Sequence, residues 1–163
     1  MSRRGLVIAG ALVALLLLGG GVAYYTATKE QMRRLLREAA ARHGLPPSWL
    51  EAIGLVESNL NSGATNYTGG DLARGGALGS TQITVQTAKA HGFTGTPEEL
   101  LGSPELQAEW TARIMAAGNP LTIEDAGAWW NAGRARASSL PAGHVTLTSY
   151  IPRLRAALAK VAA

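Results

Sequence analysis

From Thr28 onward the chain repeats one local pattern: a helix-start signal, then apolar residues at helical spacing, then in most cases a glycine. An N-cap hydroxyl satisfies an orphan backbone N–H, and a glycine just past the last turn adopts a left-handed conformation at little steric cost. The apolar stripe between them needs a core to pack on. A chain punctuated in this way is steered to an all-α fold.

Thr28 with Gln31 has the spacing of a capping box and opens a helix burying Met32, Leu35, Leu36 and Ala39, which Gly44 closes. Ser48 with Glu51 starts a second, carrying Trp49, Ile53 and Val56 and running out near Glu57. Ser80 is read as the cap of a third, through Ile83 and Ala88 to Gly92. Thr96, Pro97 and Glu99 start a short helix ending at Gly102, and Ser103 with Pro104 starts the next, through Leu106, Trp110, Ile114 and Met115 to Gly118. Thr122 with Asp125 opens one through Trp129 and Trp130 to Gly133, and Thr146 or Thr148 begins a last one ending near Lys160. Only Asn59 to Gly79, rich in Gly, Asn, Ser and Thr, breaks the series, as a long loop or small β-hairpin.

Ahead of these helices, Arg3 and Arg4 are followed by Gly5 to Tyr25, 21 residues without a charge. That is enough for one helix across a bilayer's hydrocarbon core, with Tyr24 and Tyr25 at the interface. A cleaved signal peptide is the other reading of the same run, with Gly21 and Ala23 as its small-residue site. The expected organisation is an anchor over residues 1–27 and one domain over 28–163. Lys29, Arg33, Arg34 and Arg37 outnumber the two arginines before the run, and charge counting alone would keep the domain inside.

Of the 15 basic residues 13 follow the head, against 11 acidic ones, so no strong positive field points to nucleic acid. With no cysteine there is neither disulfide nor thiolate chemistry. His43, His91 and His144 lack the spacing of a metal site, and no metal or cofactor is expected.

Position sorts the carboxylates. Glu30, Glu51, Glu98, Glu99, Glu105, Glu124 and Asp125 fall in first helical turns, where capping and the macrodipole account for an acid. Glu57 falls instead at the C-terminal end of an apolar helix, where dipole and partial burial both disfavour its charge. A carboxyl so placed has the raised proton affinity that a general acid needs. Helix-terminal glutamates are nevertheless ordinarily solvated, so position alone does not assign Glu57 a role.

Four short motifs stand in a telling order: Glu57-Ser58, then Gly76-Ala77-Leu78-Gly79-Ser80-Thr81-Gln82-Ile83, then Trp129-Trp130-Asn131-Ala132-Gly133, and finally Thr148-Ser149-Tyr150-Ile151. Over about residues 45 to 155 the chain thereby resembles the soluble lytic transglycosylase family. That family's pattern is Glu-Ser, Gly-Ala-x-Gly-Leu-Met-Gln, Ala-Tyr-Asn-Ala-Gly and a Tyr-Val pair opening the last helix. The departures are Ser80-Thr81 for Leu-Met, Trp130 for the motif tyrosine, and a longer loop after Glu57.

The resemblance implies a lysozyme-like fold and cleavage of the β-1,4 bond between N-acetylmuramic acid and N-acetylglucosamine in peptidoglycan, with Glu57 as sole acid/base and a 1,6-anhydro product. It implies that Ser58, Gln82, Trp130, Asn131 and Tyr150 line the substrate cleft. Asp71, in the long loop, is a candidate second carboxylate, which would make the protein a hydrolytic muramidase. A catalytically inert wall-binding or membrane-assembly module on the same fold is the other alternative. Expected partners are glycan strands and, through residues 5–25, a lipid bilayer, with the domain facing the cell wall. Such a protein suits a larger envelope-spanning or virion assembly.

Overall fold

The computed structural model describes residues 26–66 and 76–162. Residues 1–25 of the expected anchor and Asp71 lie outside them. No helix of the described residues is long and apolar enough to cross a membrane.

Among the described residues seven helices follow one another with a three-stranded sheet after the second: α1 Lys29–Arg42, α2 Pro47–Ser58, β1 Thr65–Asn66, β2 Ala77–Leu78, β3 Ile83–Thr84, α3 Val85–Ala90, α4 Pro97–Gly102, α5 Pro104–Ala117, α6 Ile123–Ala132 and α7 Ile151–Ala162. A 3-10 turn, Ala137–Ser139, and a π turn, Thr146–Tyr150, lie between α6 and α7. The domain is therefore mostly helical, as its punctuation predicts. The capping box at Thr28 forms in full, as does that at Thr96, and the hydroxyls of Ser103 and Thr122 cap α5 and α6.

Three local expectations are corrected. First, α2 begins at Pro47 with no side-chain cap, because the rigid φ of the Pro46-Pro47 pair already suits a first helical turn. Glu51, expected to serve a cap at Ser48, is only 2 % exposed, and its carboxylate lies between the guanidinium groups of Arg33 and Arg37 on α1. With α2 beginning at Pro47, Glu51 lies beyond the first turn, and the tertiary ion pair rather than a cap accounts for its carboxylate.

Second, Ser80 does not cap the third helix. Thr84 does so, accepting from the Thr87 N–H, and Ser80 is fully buried upstream with its Oγ unpartnered among the described residues. Third, the expected hairpin gains a strand: β1 pairs antiparallel with β2, and β2 with β3, in the register Leu78↔Ile83. The β2–β3 turn has two left-handed residues, Gly79 at φ 71° and Gln82 at φ 54°.

The core has two parts. Met32, Leu36, Leu50, Ile53, Leu60, Met115 and Leu154 belong to a cluster formed by α1, α2, α5 and α7, with Ala126 of α6. At Gly54 a Cβ would meet the Cδ2 methyl of Leu60 at 2.8 Å and the Cδ1 methyl of Leu36 at 3.0 Å, so a larger residue would force those leucines to shift where α1 meets α2. A smaller cluster joins Leu78, Ile83, Val85, Phe93, Leu100 and Ile114. Trp130 packs against both.

Between the clusters runs a strip of buried polar residues centred on Gln107 of α5. Its Oε1 accepts from the Ser80 N–H at 3.1 Å, and its Nε2 donates to the carbonyls of Ser62 at 2.9 Å and Leu101 at 3.0 Å. Thr81 and Thr111 share a hydrogen bond of 2.7 Å beside it, and Thr111 also donates to the Gln107 carbonyl. This strip fixes the β2–β3 turn against α5, next to the end of α2.

Candidate active site

Glu57 occupies the last turn of α2, whose backbone ends at Asn59 in the left-handed region. Because α2 packs against α7, residues 93 positions apart meet there: the Tyr150 hydroxyl donates to Glu57 Oε1 at 2.6 Å. The phenol ring is 6 % exposed and seated beside Gly127 of α6, so the hydroxyl is aimed by the core rather than by solvent. One turn further along, Arg153 donates to the Val56 carbonyl at 2.9 Å. That carbonyl belongs to the last turn of α2, where carbonyls lack helical partners.

Burial pushes the Glu57 carboxyl above the ordinary glutamate value. The Tyr150 hydrogen bond and the nearby Arg153 charge pull the other way without cancelling it. The Tyr150 phenol is in turn held well above its ordinary value, by burial first and then by the charge and hydrogen bond of Glu57. It therefore stays a donor over any physiological pH. A carboxyl tuned in this way keeps its proton to a higher pH than an ordinary glutamate, the direction a general acid requires.

Of the other predicted residues, Ser58 follows Glu57 directly, while the hydrogen bonds of Gln82, Trp130 and Asn131 run to the scaffold and not to this pair. Ser58 donates to the Ser80 carbonyl at 2.7 Å and fastens the end of α2 to the β2–β3 turn. Trp130 grips the same turn by donating from Nε1 to the Thr81 carbonyl at 3.0 Å. Gln82 donates to the Gly79 carbonyl at 3.0 Å, inside the turn. Asn131 accepts from the buried Thr146 hydroxyl at 2.7 Å and so ties α6 to the π turn that carries Tyr150. Its contact in this structure is thus to the scaffold.

Gln82 and Trp130 line one recess of about 300 Å³ with Trp129, Thr84, Thr87 and His91. It combines indole faces and small apolar groups with hydroxyl, amide and imidazole groups, the mixture that suits a ring with one apolar face and a polar rim. Trp129 is fixed by donating to the Ile114 carbonyl at 2.8 Å.

Sequence reasoning missed Arg153 and Gln107. The former sits three residues after Tyr150 on the same helical face, a spacing that could have flagged it. The latter carried no local signal, since its three partners come from separate segments. No group of His, Asp and Glu among the described residues is arranged to hold a metal ion.

Searches of curated proteins and of solved structures found no match to the chain. A family model, the transglycosylase SLT domain, matches residues 34–132, from the first turns of α1 to the last residue of α6. The match takes in Glu57, Ser58, Gln82, Trp130 and Asn131 and stops short of Tyr150, which the fold itself returns to Glu57. Covering well over half of the 163 residues, it shows that the chain belongs to the SLT transglycosylase family.

Proposed function

We propose that the protein is a peptidoglycan lytic transglycosylase that cleaves the β-1,4 bond between N-acetylmuramic acid and N-acetylglucosamine with Glu57 as its one acid/base. The carrying observation is the Glu57–Tyr150 pair: a carboxyl whose proton affinity is raised by burial, with one oxygen engaged by a phenol. Family membership supports an enzyme acting on peptidoglycan.

In the first half of the cycle, protonated Glu57 delivers its proton to the glycosidic oxygen as the C1–O4 bond breaks. In the second, the Glu57 carboxylate removes the proton of the muramic acid 6-hydroxyl as O6 bonds to C1, closing the 1,6-anhydro ring. Glu57 ends the cycle protonated, and no water is consumed. The Tyr150 hydrogen bond strengthens when Glu57 is ionised, so it favours the intermediate stage between the two transfers. One carboxyl thus does what paired carboxylates at set separations do in most glycoside hydrolases. The recess lined by Gln82, Trp129 and Trp130 receives a neighbouring sugar ring, stacked on indole.

The 21 uncharged residues from Gly5 to Tyr25, ending only three residues before α1 begins at Lys29, support a single-pass anchor that keeps the domain close to the bilayer, and the proposed substrate requires that it face the wall. A larger envelope-spanning or virion assembly would be the natural setting.

The test is the product. Mass spectrometry of digested sacculi is expected to find muramic acid ends one water lighter than hydrolytic ones and resistant to borohydride, with Glu57→Gln releasing none. Predominantly reducing ends would make the protein a muramidase and bring in Asp71. A fully active Glu57→Gln would remove Glu57 from the chemistry altogether.

A further inference from the structure

A second recess, of about 310 Å³, opens between α2 and α7 beside the end of α2. Arg153, Ala156, Ala157 and Lys160 follow one another at helical spacing along the face of α7 that borders it, and Leu55 and Asn59 border it from α2. The two alanines leave the space that longer side chains would fill. Both ionisable residues in the lining are cations, and no carboxylate borders it.

The recess is contiguous with the reacting end of the molecule. Val56, whose carbonyl Arg153 holds at 2.9 Å, is part of its wall, and Glu57 is the next residue. Arg153 is also the cation whose charge is felt at the Glu57 carboxyl. Leu55, Asn59 and Lys160 also border a neighbouring recess, where Glu30, Glu38 and Glu51 lie among the arginines of α1, so the wall free of carboxylates is the one that runs from Lys160 back to Arg153.

We propose that this recess binds the acidic stem peptide carried by the muramic acid at the cleavage point, with Arg153 and Lys160 meeting its carboxylates and the space over Ala156 and Ala157 taking its small side chains. The inference rests on the glycan reading above, because the peptide arrives on the lactyl group of the same sugar. The dimensions agree. Arg153 and Lys160 are two helical turns apart, about 10 Å, and an extended peptide of three residues spans about the same length. On this proposal a glycan bound at Glu57 extends its stem past Val56 into the recess, where Asn59 offers an amide for the peptide backbone.

The proposal predicts selectivity for peptide-bearing strands. The full-length protein would be assayed for kcat/KM on glycan strands with intact stems and on the same strands stripped by an amidase. In Lys160→Glu the intact-to-stripped ratio is expected to fall about threefold to tenfold, as for a partly exposed charge contact, and less in Lys160→Ala. Ala156→Leu, which fills the recess without touching charge, is expected to lower the ratio as well, and roughly 0.5 M salt should lower it for the unaltered protein. Lys160 is exposed on the last turns of α7, and melting curves would show that the variants fold. A ratio in Lys160→Glu and Ala156→Leu equal to that of the unaltered protein, or an unaltered protein that cleaves both strands alike at every salt concentration, would overturn the proposal. Failure to cleave either strand to anhydro ends would instead sink the glycan reading on which it stands.

Discussion

Tyr150→Phe removes one oxygen and leaves the buried ring in place, so it isolates what the hydroxyl does for Glu57. The hydroxyl lies 2.6 Å from Oε1, within the short range of a donor to an ionised carboxylate. Hydrogen bonds to charged groups contribute about 1.5–3 kcal/mol, and here that stabilisation acts on the ionised carboxyl required between the two proton transfers. Lost in full, it converts to a fall in kcat/KM of about tenfold to a hundredfold. The core contacts of the ring beside Gly127 survive, whereas Tyr150→Leu would lose them too.

A second readout comes from pH. The hydroxyl lowers the proton affinity of Glu57, so its removal raises that affinity further, and the high-pH limb of the rate profile, where Glu57 loses the proton it must donate, moves to higher pH. Initial rates of sacculus clearing between pH 4 and 9, with thermal melts alongside, supply both numbers, the pH range being about that over which a buried carboxyl titrates. Turnover within twofold of the unaltered protein and an unmoved limb would refute the assignment of Tyr150 to the site.

Burial holds the Glu57 carboxyl above its ordinary 4.5, so folding opposes its ionisation, and this stability difference grows as pH rises through the folded value. Glu57→Gln is therefore expected to melt above the parent protein at neutral pH, with the two converging below about pH 4; a neutral-pH melt at or below the parent's would contradict the burial argument. Gly79→Ala would set a Cβ 2.2 Å from Gln107 Oε1 at a φ of 71°, and is expected to cost about 2–4 kcal/mol in a denaturant melt by straining the turn and displacing the amide; a loss under about 1 kcal/mol would count against Gln107 as the tie between turn and α5. Residues 5–25 are expected to keep the full chain in carbonate-washed membranes, and their deletion to release an active domain; full-length chain in the detergent-free supernatant, or a mature N-terminus after Ala23, would reject the anchor.

What could be read from the sequence were features decided within four residues. The capping boxes at Thr28 and Thr96 formed as read because donor and acceptor lie on the same turn. Ser80 was misread because its surroundings are set by β2, α5 and the end of α2, far away in sequence, and a serine before apolar residues looks alike whether it caps a helix or lies in a buried turn. Glu51 was misread for a similar reason: its partners, 14 and 18 residues upstream, act only once α1 packs on α2. The Glu57–Tyr150 pair has no local signature at all, and only the order of motifs along the chain pointed to it.

The polar strip through Gln107 has a consequence for how the protein can change over time. Apolar contacts are interchangeable within limits of volume, so either hydrophobic cluster can be repacked by compensating substitutions without altering what lies outside it. Hydrogen bonds of fixed angle are not interchangeable in this sense. Drift in either oily half is absorbed locally, while a change at Thr81, Gln107 or Thr111 shifts the turn that Ser58 and Trp130 both grasp. Engineering for heat tolerance can therefore begin in the two clusters, and engineering for a wider or narrower cleft belongs at the strip between them.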